Sequence, residues 1–176
     1  FAILSRKQND GLNVAQILAS DGIPVKYVGK SELNNSPNAK LLFSYLRTIA
    51  NPMKSMTGIM RILQEFGISE QNISKINHEA IIRAREQTDG DYVFDVLSDL
   101  KVANLTQKSE LKEIHLTIND FINLAKNQVP SQTIYQIIRN KTDIYKKIAN
   151  DDSIDNFIER SILNDIVNRA YDYEKI

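Results

Sequence analysis

The sequence has no cysteine and no tryptophan, and it has only four prolines and six glycines among 176 residues. Without cysteine the chain can form no disulfide, no thiolate metal site and no cysteine nucleophile. This composition suits an intracellular protein, and we expect a cytoplasmic location. No apolar run approaches the roughly 18–20 residues of a membrane span, and residues 1–6 (FAILSR) do not resemble a signal peptide. We therefore expect no membrane partner and a fold stabilised by packing.

Sequence signatures of several enzyme classes are also absent. There is no phosphate loop of the form G-x-x-x-x-G-K-S/T, no H-E-x-x-H and no G-x-S-x-G. The two histidines, His78 and His115, fall on separate predicted helices, so surface or packing roles are expected rather than a shared metal. The sequence thus predicts no catalytic residue, no cofactor and no metal site within this chain.

Charge is distributed unevenly along a chain whose net charge is zero. Residues 1–61 contain eight basic and three acidic residues, an excess of five positive charges that the remainder balances. Such a segment can follow the phosphates of a nucleic acid. It can equally be a solvated surface with uneven charge. Both interpretations stay open at this point.

The first thirty residues alternate between strand and helix patterns. Residues 2–4 form a short apolar run of strand type, and residues 10–20 have apolar side chains in helical register, followed by Gly22 in the position favoured after a helix end. Residues 23–28 predict a second strand, with Pro24 at its start. We therefore expect a small β-α-β unit at the N-terminus.

Beyond this unit the sequence predicts one helix after another. Ser36 is a good N-cap, Pro37 suits the first helical position, and Pro52 stops the helix. The next helix is expected over residues 55–66, before Gly67, and Ser69 can cap a short helix that follows. Apolar periodicity predicts further helices over residues 77–87, 92–101, 107–127, 131–149 and 152–173. The predicted fold class is mainly α, with the small β-α-β unit attached.

Several segments resemble one family of enzymes. Residues 44–52, S-Y-L-R-T-I-A-N-P, match the pattern A/S-Y-L-R-x-I-A-N-P of DNA helicases of the UvrD/Rep type almost letter for letter. Residues 2–6 are similar to helicase motif IV of these superfamily 1 enzymes, and residues 22–29 look like their G-I-P-Y-x-x-x-G strand. Residues 62–69 and 156–175 are similar to two further family segments. The resemblance covers about half of the chain.

The resemblance implies a division into two parts. Residues 1–35 would belong to a RecA-like domain, called 2A in the family, and residues 36–176 to the helical accessory subdomain called 2B. The implied function is that of a regulatory, duplex-contacting subdomain of an ATP-dependent 3′-to-5′ DNA helicase. ATP and Mg²⁺ would bind elsewhere in the whole protein. Because the chain begins with Phe1 rather than methionine, we expect that it was cut from a larger protein.

The resemblance also implies roles for individual residues and partners. Arg6 would contact the γ-phosphate of ATP, as arginine fingers do. The turn Gly67, Ile68 and Ser69 would approach duplex DNA, where N–H groups at a helix start can bind a backbone phosphate. The plain alternative is a helix connection, with Gly67 after one helix and Ser69 capping the next. Implied partners are duplex DNA, bound weakly, the helicase motor core of the same chain, and repair or recombination proteins.

Two further expectations complete the sequence-based hypothesis. Tyr45 and Arg47 are expected to fix helix packing and the junction with the RecA-like core rather than to touch DNA. The alternative function is a stand-alone helical module that binds another protein and has no role on DNA. An upstream sequence containing a phosphate loop would distinguish the two functions.

Overall fold

A computed structural model describes residues 1–25, 36–86, 90, 92–142, 144–149 and 153–175. Within these ranges the chain is mainly α, as predicted, and no strand occurs. A 3₁₀ turn, Pro52–Lys54, and a π-helical segment, Ile137–Lys141, accompany the α-helices. The helices are α1 Gln8–Ser20, α2 Pro37–Ala50, α3 Met56–Glu65, α4 Glu70–Glu86, α5 Val93–Asp99, α6 Lys108–Asn127, α7 Pro130–Gln136, α8 Ile144–Ala149 and α9 Ile154–Tyr173.

The predicted β-α-β unit is corrected to a single helix with irregular flanks. Residues 2–4 are not a strand, and residues 23–25 are irregular, while residues 26–28 of the predicted second strand lie outside the described residues. Leu4 is 97% exposed. A strand needs a neighbouring strand for its backbone N–H and C=O groups, and the described part of the chain supplies none. The helix α1 does form, and it buries Leu12 and Ala15 close to α9.

The start of α2 follows the sequence prediction. The Ser36 side chain accepts a hydrogen bond from the Ala39 N–H at 2.9 Å, and Pro37 occupies the first helical position. The same hydroxyl donates to Glu159 Oε2 of α9 at 2.7 Å. One buried serine thus caps α2 and ties it to the last helix of the chain.

Two boundaries differ from the prediction. The short helix expected after Ser69 and the helix expected over residues 77–87 are one continuous helix, α4, because no glycine or proline interrupts the chain between them. The stretch 131–149 contains α7, the π-helical segment and α8. Thr142 closes the π-helical segment by donating its hydroxyl to the Ile137 carbonyl at 2.6 Å.

The core extends from α2 to α9, with α2 and α6 near its centre. Tyr45 of α2 is 1% exposed and meets Phe121 of α6 edge to face, with the ring centroids 5.5 Å apart. Helix α2 also packs against α3 and α9. At the other end of α9, Glu174 accepts hydrogen bonds from the N–H and hydroxyl of Ser131 at the start of α7. The described helices from α2 onward therefore share one hydrophobic core.

Candidate nucleic-acid interface

The turn between α3 and α4 is closed by a glycine in the left-handed backbone region. Gly67 has a φ of +68°, and its N–H donates to the Gln64 carbonyl at 3.0 Å. The Ile68 N–H donates to the Leu63 carbonyl at 3.0 Å. These two bonds form the Schellman ending of a helix, in which glycine avoids the strain that other residues meet at positive φ. Gly22, with a φ of +76°, ends α1 with the same pair of bonds.

The N–H groups predicted to bind phosphate have partners within the chain. Those of Gly67 and Ile68 make the helix-ending bonds just described. The Ser69 N–H donates to Oε1 of Gln107 at 2.9 Å, and Nε2 of Gln107 donates to the Gly67 carbonyl at 3.2 Å. One glutamine therefore bridges both sides of the turn. A phosphate could reach these three N–H groups only by displacing bonds that hold the turn.

Asn72 anchors the same turn from within the protein. Asn72 is only 1% exposed. Its Nδ2 donates to Oε1 of Gln107 at 2.9 Å and to the Thr106 carbonyl at 3.1 Å. Its Oδ1 accepts from the Thr106 N–H at 3.2 Å. The Asn72 N–H in turn donates to the Ser69 hydroxyl at 3.4 Å, which is the predicted cap of α4. This geometry is that of a helix connection, and a phosphate contact by Gly67, Ile68 and Ser69 stays a prediction.

A surface groove lies between α2 and α3, next to this turn. The two helices approach closely at Gly58, where an added Cβ would lie 2.9 Å from the Ser44 carbonyl oxygen. The groove has a volume of about 440 Å³. It is lined by Ser44 and Arg47 of α2 and by Met56, Thr57, Gly58, Met60, Arg61 and Gln64 of α3. Gln64 belongs to both features, because it lines the groove and its carbonyl accepts the Gly67 N–H.

The groove has a basic electrostatic character. Of the described residues that line it, Arg47 and Arg61 are charged and none is acidic. Neither guanidinium makes a hydrogen bond or ion pair with any other residue in the described ranges. Glu65, the neighbouring acid on α3, is paired with Lys147 of α8. Two guanidinium groups without a carboxylate between them attract anions, and phosphate suits their planar geometry.

Of the other predicted residues, the structure brings Arg47 to this groove and places Tyr45 and Arg6 elsewhere. Tyr45 is a core residue, which confirms its expected role in helix packing. Arg47 is exposed on the groove wall instead of packed within the core. Arg6 lies in the exposed segment ahead of α1, and its predicted contact with ATP stays a prediction. The sequence did not single out Arg61 as a candidate site residue, although it is one of the eight basic residues of the positively charged first part of the chain.

The two histidines take the separate positions that the sequence predicts. His78 is exposed on α4, and His115 of α6 lies against Phe94, with the ring centroids 4.8 Å apart. Nδ2 of Asn119 lies 2.7 Å from Nε2 of His115. Burial lowers the pKa of His115 below its ordinary value. Within the described ranges, no cluster of three or more histidine, aspartate or glutamate side chains could hold a metal ion.

None of the helices in the described ranges is both long enough and apolar enough to span a membrane. Comparison with known proteins finds no family model, no curated protein and no solved structure that matches this chain.

Proposed function

We propose that this chain is the accessory helical subdomain of an ATP-dependent 3′-to-5′ DNA helicase, and that it contacts duplex DNA weakly and without sequence preference. The observation that carries the proposal is the string S-Y-L-R-T-I-A-N-P at residues 44–52, which resembles the UvrD/Rep type. Its residues have distinct surroundings on α2. Tyr45 fills the core, the Thr48 hydroxyl donates to the Ser44 carbonyl at 2.8 Å beside the helix crossing, and Arg47 lines the basic groove.

The proposal includes docking onto a motor core in the same protein. Its support is the segment ahead of α1. Three large apolar side chains that are close in the sequence are exposed there: Phe1, Ile3 and Leu4. Apolar side chains grouped on a surface favour a covering partner. Arg6 follows this segment, so docking would bring its guanidinium to the motor. Because the chain has no phosphate loop, Arg6 alone does not form a nucleotide site, and ATP and Mg²⁺ belong to the motor in this proposal.

A second candidate is the stand-alone helical module that binds another protein. A cluster on α7, the π-helical segment and α8 favours it. Arg139 lies 5.7 Å from the ring centroids of both Tyr135 and Tyr145, and it donates a hydrogen bond to the Tyr135 hydroxyl. All three residues are exposed. Tyrosine and arginine are enriched at protein interfaces, where they often dominate the binding energy.

Duplex binding by the purified chain tests the proposal. Fluorescence anisotropy with a short labelled duplex at low salt should give a dissociation constant on the order of 10⁻⁴–10⁻⁶ M, as for non-specific binding. The slope of log affinity against log salt should be shallow, on the order of −2 to −4, because few phosphates are contacted. Two unrelated duplex sequences should bind equally, since backbone contacts do not read bases.

The same samples separate the two candidates. If the folded chain shows no duplex binding at low salt, the DNA proposal is wrong and the protein-binding module replaces it. A strong preference for one duplex sequence would also contradict the proposal, because it requires base contacts. Steady-state ATP hydrolysis should stay at the level of a buffer control, with or without DNA.

A further inference from the structure

We propose that the groove between α2 and α3 is the site at which this chain holds a backbone phosphate of duplex DNA, through the guanidinium groups of Arg47 and Arg61. This inference rests on the proposed function, since it names the residues that would make the duplex contact. It differs from the sequence-based expectation, which assigned the contact to N–H groups of the turn at Gly67, Ile68 and Ser69.

Helical spacing places one arginine on each wall of the groove. On α2, Lys40, Ser44 and Arg47 follow one another at intervals of four and three residues, so they share one face. Thr57, Arg61 and Gln64 repeat the same spacing on α3. The two faces that contain the arginines meet at the groove, with Ser44 and Arg47 on one wall and Thr57, Arg61 and Gln64 on the other.

The close helix crossing brings the two positive charges to one groove. Gly58 lets α3 approach the Ser44 carbonyl, and a larger residue there would push the walls apart. Arg47 and Arg61 are then like charges with no acidic residue on the groove lining. Like charges repel, and an anion between them removes that repulsion and supplies acceptors for both guanidinium groups. The site therefore lacks a negative partner that a phosphate would provide.

Hydrogen-bond donors complete the match to a phosphate. The Thr57 hydroxyl and the Gln64 amide line the groove, and neither makes a side-chain hydrogen bond to another residue in the described ranges. Thr57 is exposed, so its hydroxyl can turn toward a bound group. The lining also contains two apolar side chains, Met56 and Met60, and Ser44, whose hydroxyl donates to the Lys40 carbonyl. Hydrogen bonds from the Thr57 hydroxyl and the Gln64 amide would hold a phosphate oxygen and would not identify a base.

The neighbouring turn has a supporting part in this arrangement. Gln64 both lines the groove and ends α3 through its bond with Gly67. Arg61 lies four residues before the end of α3 at Glu65, about 6 Å along the helix axis, and Gly67 follows two residues later. A duplex lying along α3 would therefore pass the groove and the turn together, with the arginines making the charged contact and the turn limiting how closely the backbone approaches.

Substitution of the two arginines tests the site in the whole chain. The variants Arg47→Gln, Arg61→Gln and the double variant remove one or two charges. Neither side chain forms a hydrogen bond or ion pair with a described residue, so the fold should persist. Lys112→Gln, at an exposed position of α6 outside the groove lining, is the control for loss of one charge. Thermal unfolding of each variant verifies that the comparison is made between folded proteins.

Salt dependence of duplex binding is the decisive readout. Each arginine substitution should reduce the steepness of the slope of log affinity against log salt by about 1, and the double variant by about 2, because one or two phosphate contacts are lost. The loss of affinity should be equal for two duplexes of unrelated sequence. Lys112→Gln should keep the slope of the unmodified chain, and Arg61→Lys should recover most of it.

A parallel titration with inorganic phosphate distinguishes the source of the anion. Signals of the Arg47 and Arg61 Nε–H groups should shift with duplex at far lower concentration than with phosphate. Duplex binding with an unchanged slope in the double variant would overturn the groove site and leave the proposed function standing. Shifts with phosphate but no duplex binding would overturn both the nucleic-acid assignment and the proposed function, and would leave a site for free phosphate.

Discussion

The backbone conformation of Gly67 leads to a quantitative prediction about stability. No atom lies within 4 Å of a Cβ built on this residue, so replacement by alanine meets no steric obstacle from its neighbours. The cost comes from the φ of +68°, which is unfavourable for residues with a Cβ by roughly 1–2 kcal/mol. Gly67→Ala should therefore lower the free energy of unfolding by about 1–2 kcal/mol. For a chain of this size the melting temperature should fall by about 2–8 °C.

The order of three substitutions tests the mechanism more sharply than one value. Gly67→Asn should be the least harmful, because asparagine tolerates the left-handed region, and Gly67→Val the most harmful, because its Cβ is branched. Alanine should fall between them, which reverses the order of intrinsic helix propensity for alanine and asparagine. Urea denaturation followed by circular dichroism measures all three. An alanine variant as stable as the unmodified chain, or more stable than the asparagine variant, would show that the positive φ of Gly67 does not set the cost.

Three further predictions concern packing, capping and pH. Gly58→Ala should destabilise the protein by about 1–3 kcal/mol, because its Cβ would meet the Ser44 carbonyl, and equal stability in denaturation would contradict the close crossing. Ser36→Ala should cost about 1–2 kcal/mol by the same assay, since α2 loses its cap and the bond to Glu159. Glu159→Ala keeps the cap and removes only that bond, so it is the matched control and should cost less. The pKa of His115 in the folded protein lies below its ordinary value of about 6.5, so near that pH the unfolded state binds more protons than the folded state. Stability should therefore fall as the pH drops below about 6.5. A His115→Gln variant should lack this component of the pH dependence, and an unchanged profile would show that the histidine is not its source.

Local signals in the sequence were sufficient for much of the helical body. Ser36, Pro37 and Pro52 bound α2 as predicted, because capping and the missing proline N–H act within a few residues. Gly22 and Gly67 end their helices as predicted for the same reason. The predicted boundary between two helices within residues 70–86 was wrong, because polar residues alone do not end a helix when no glycine or proline follows.

Features that depend on distant parts of the chain could not be predicted in this way. The strand predicted at residues 2–4 was wrong, because a short apolar run forms a strand only where a neighbouring strand pairs with it. Gln107 reaches the turn at Gly67 from 40 residues away, and no local pattern connects the two. Arg47 and Arg61 were visible as positive charges, but their common groove results from the crossing of α2 and α3 at Gly58.

Titration of the isotope-labelled chain with a short duplex, followed by NMR of its amide and arginine side-chain signals, shows whether the α2–α3 groove contacts DNA. We expect fast-exchange shifts concentrated on Arg47, Thr57 and Arg61, which fade as salt is raised, with the turn at Gly67 affected less. Signals of Tyr135 and Tyr145 should stay unchanged. No shifts at low salt, or shifts confined to the cluster around Tyr135 and Tyr145, would contradict the claim that this chain contacts DNA through the α2–α3 groove.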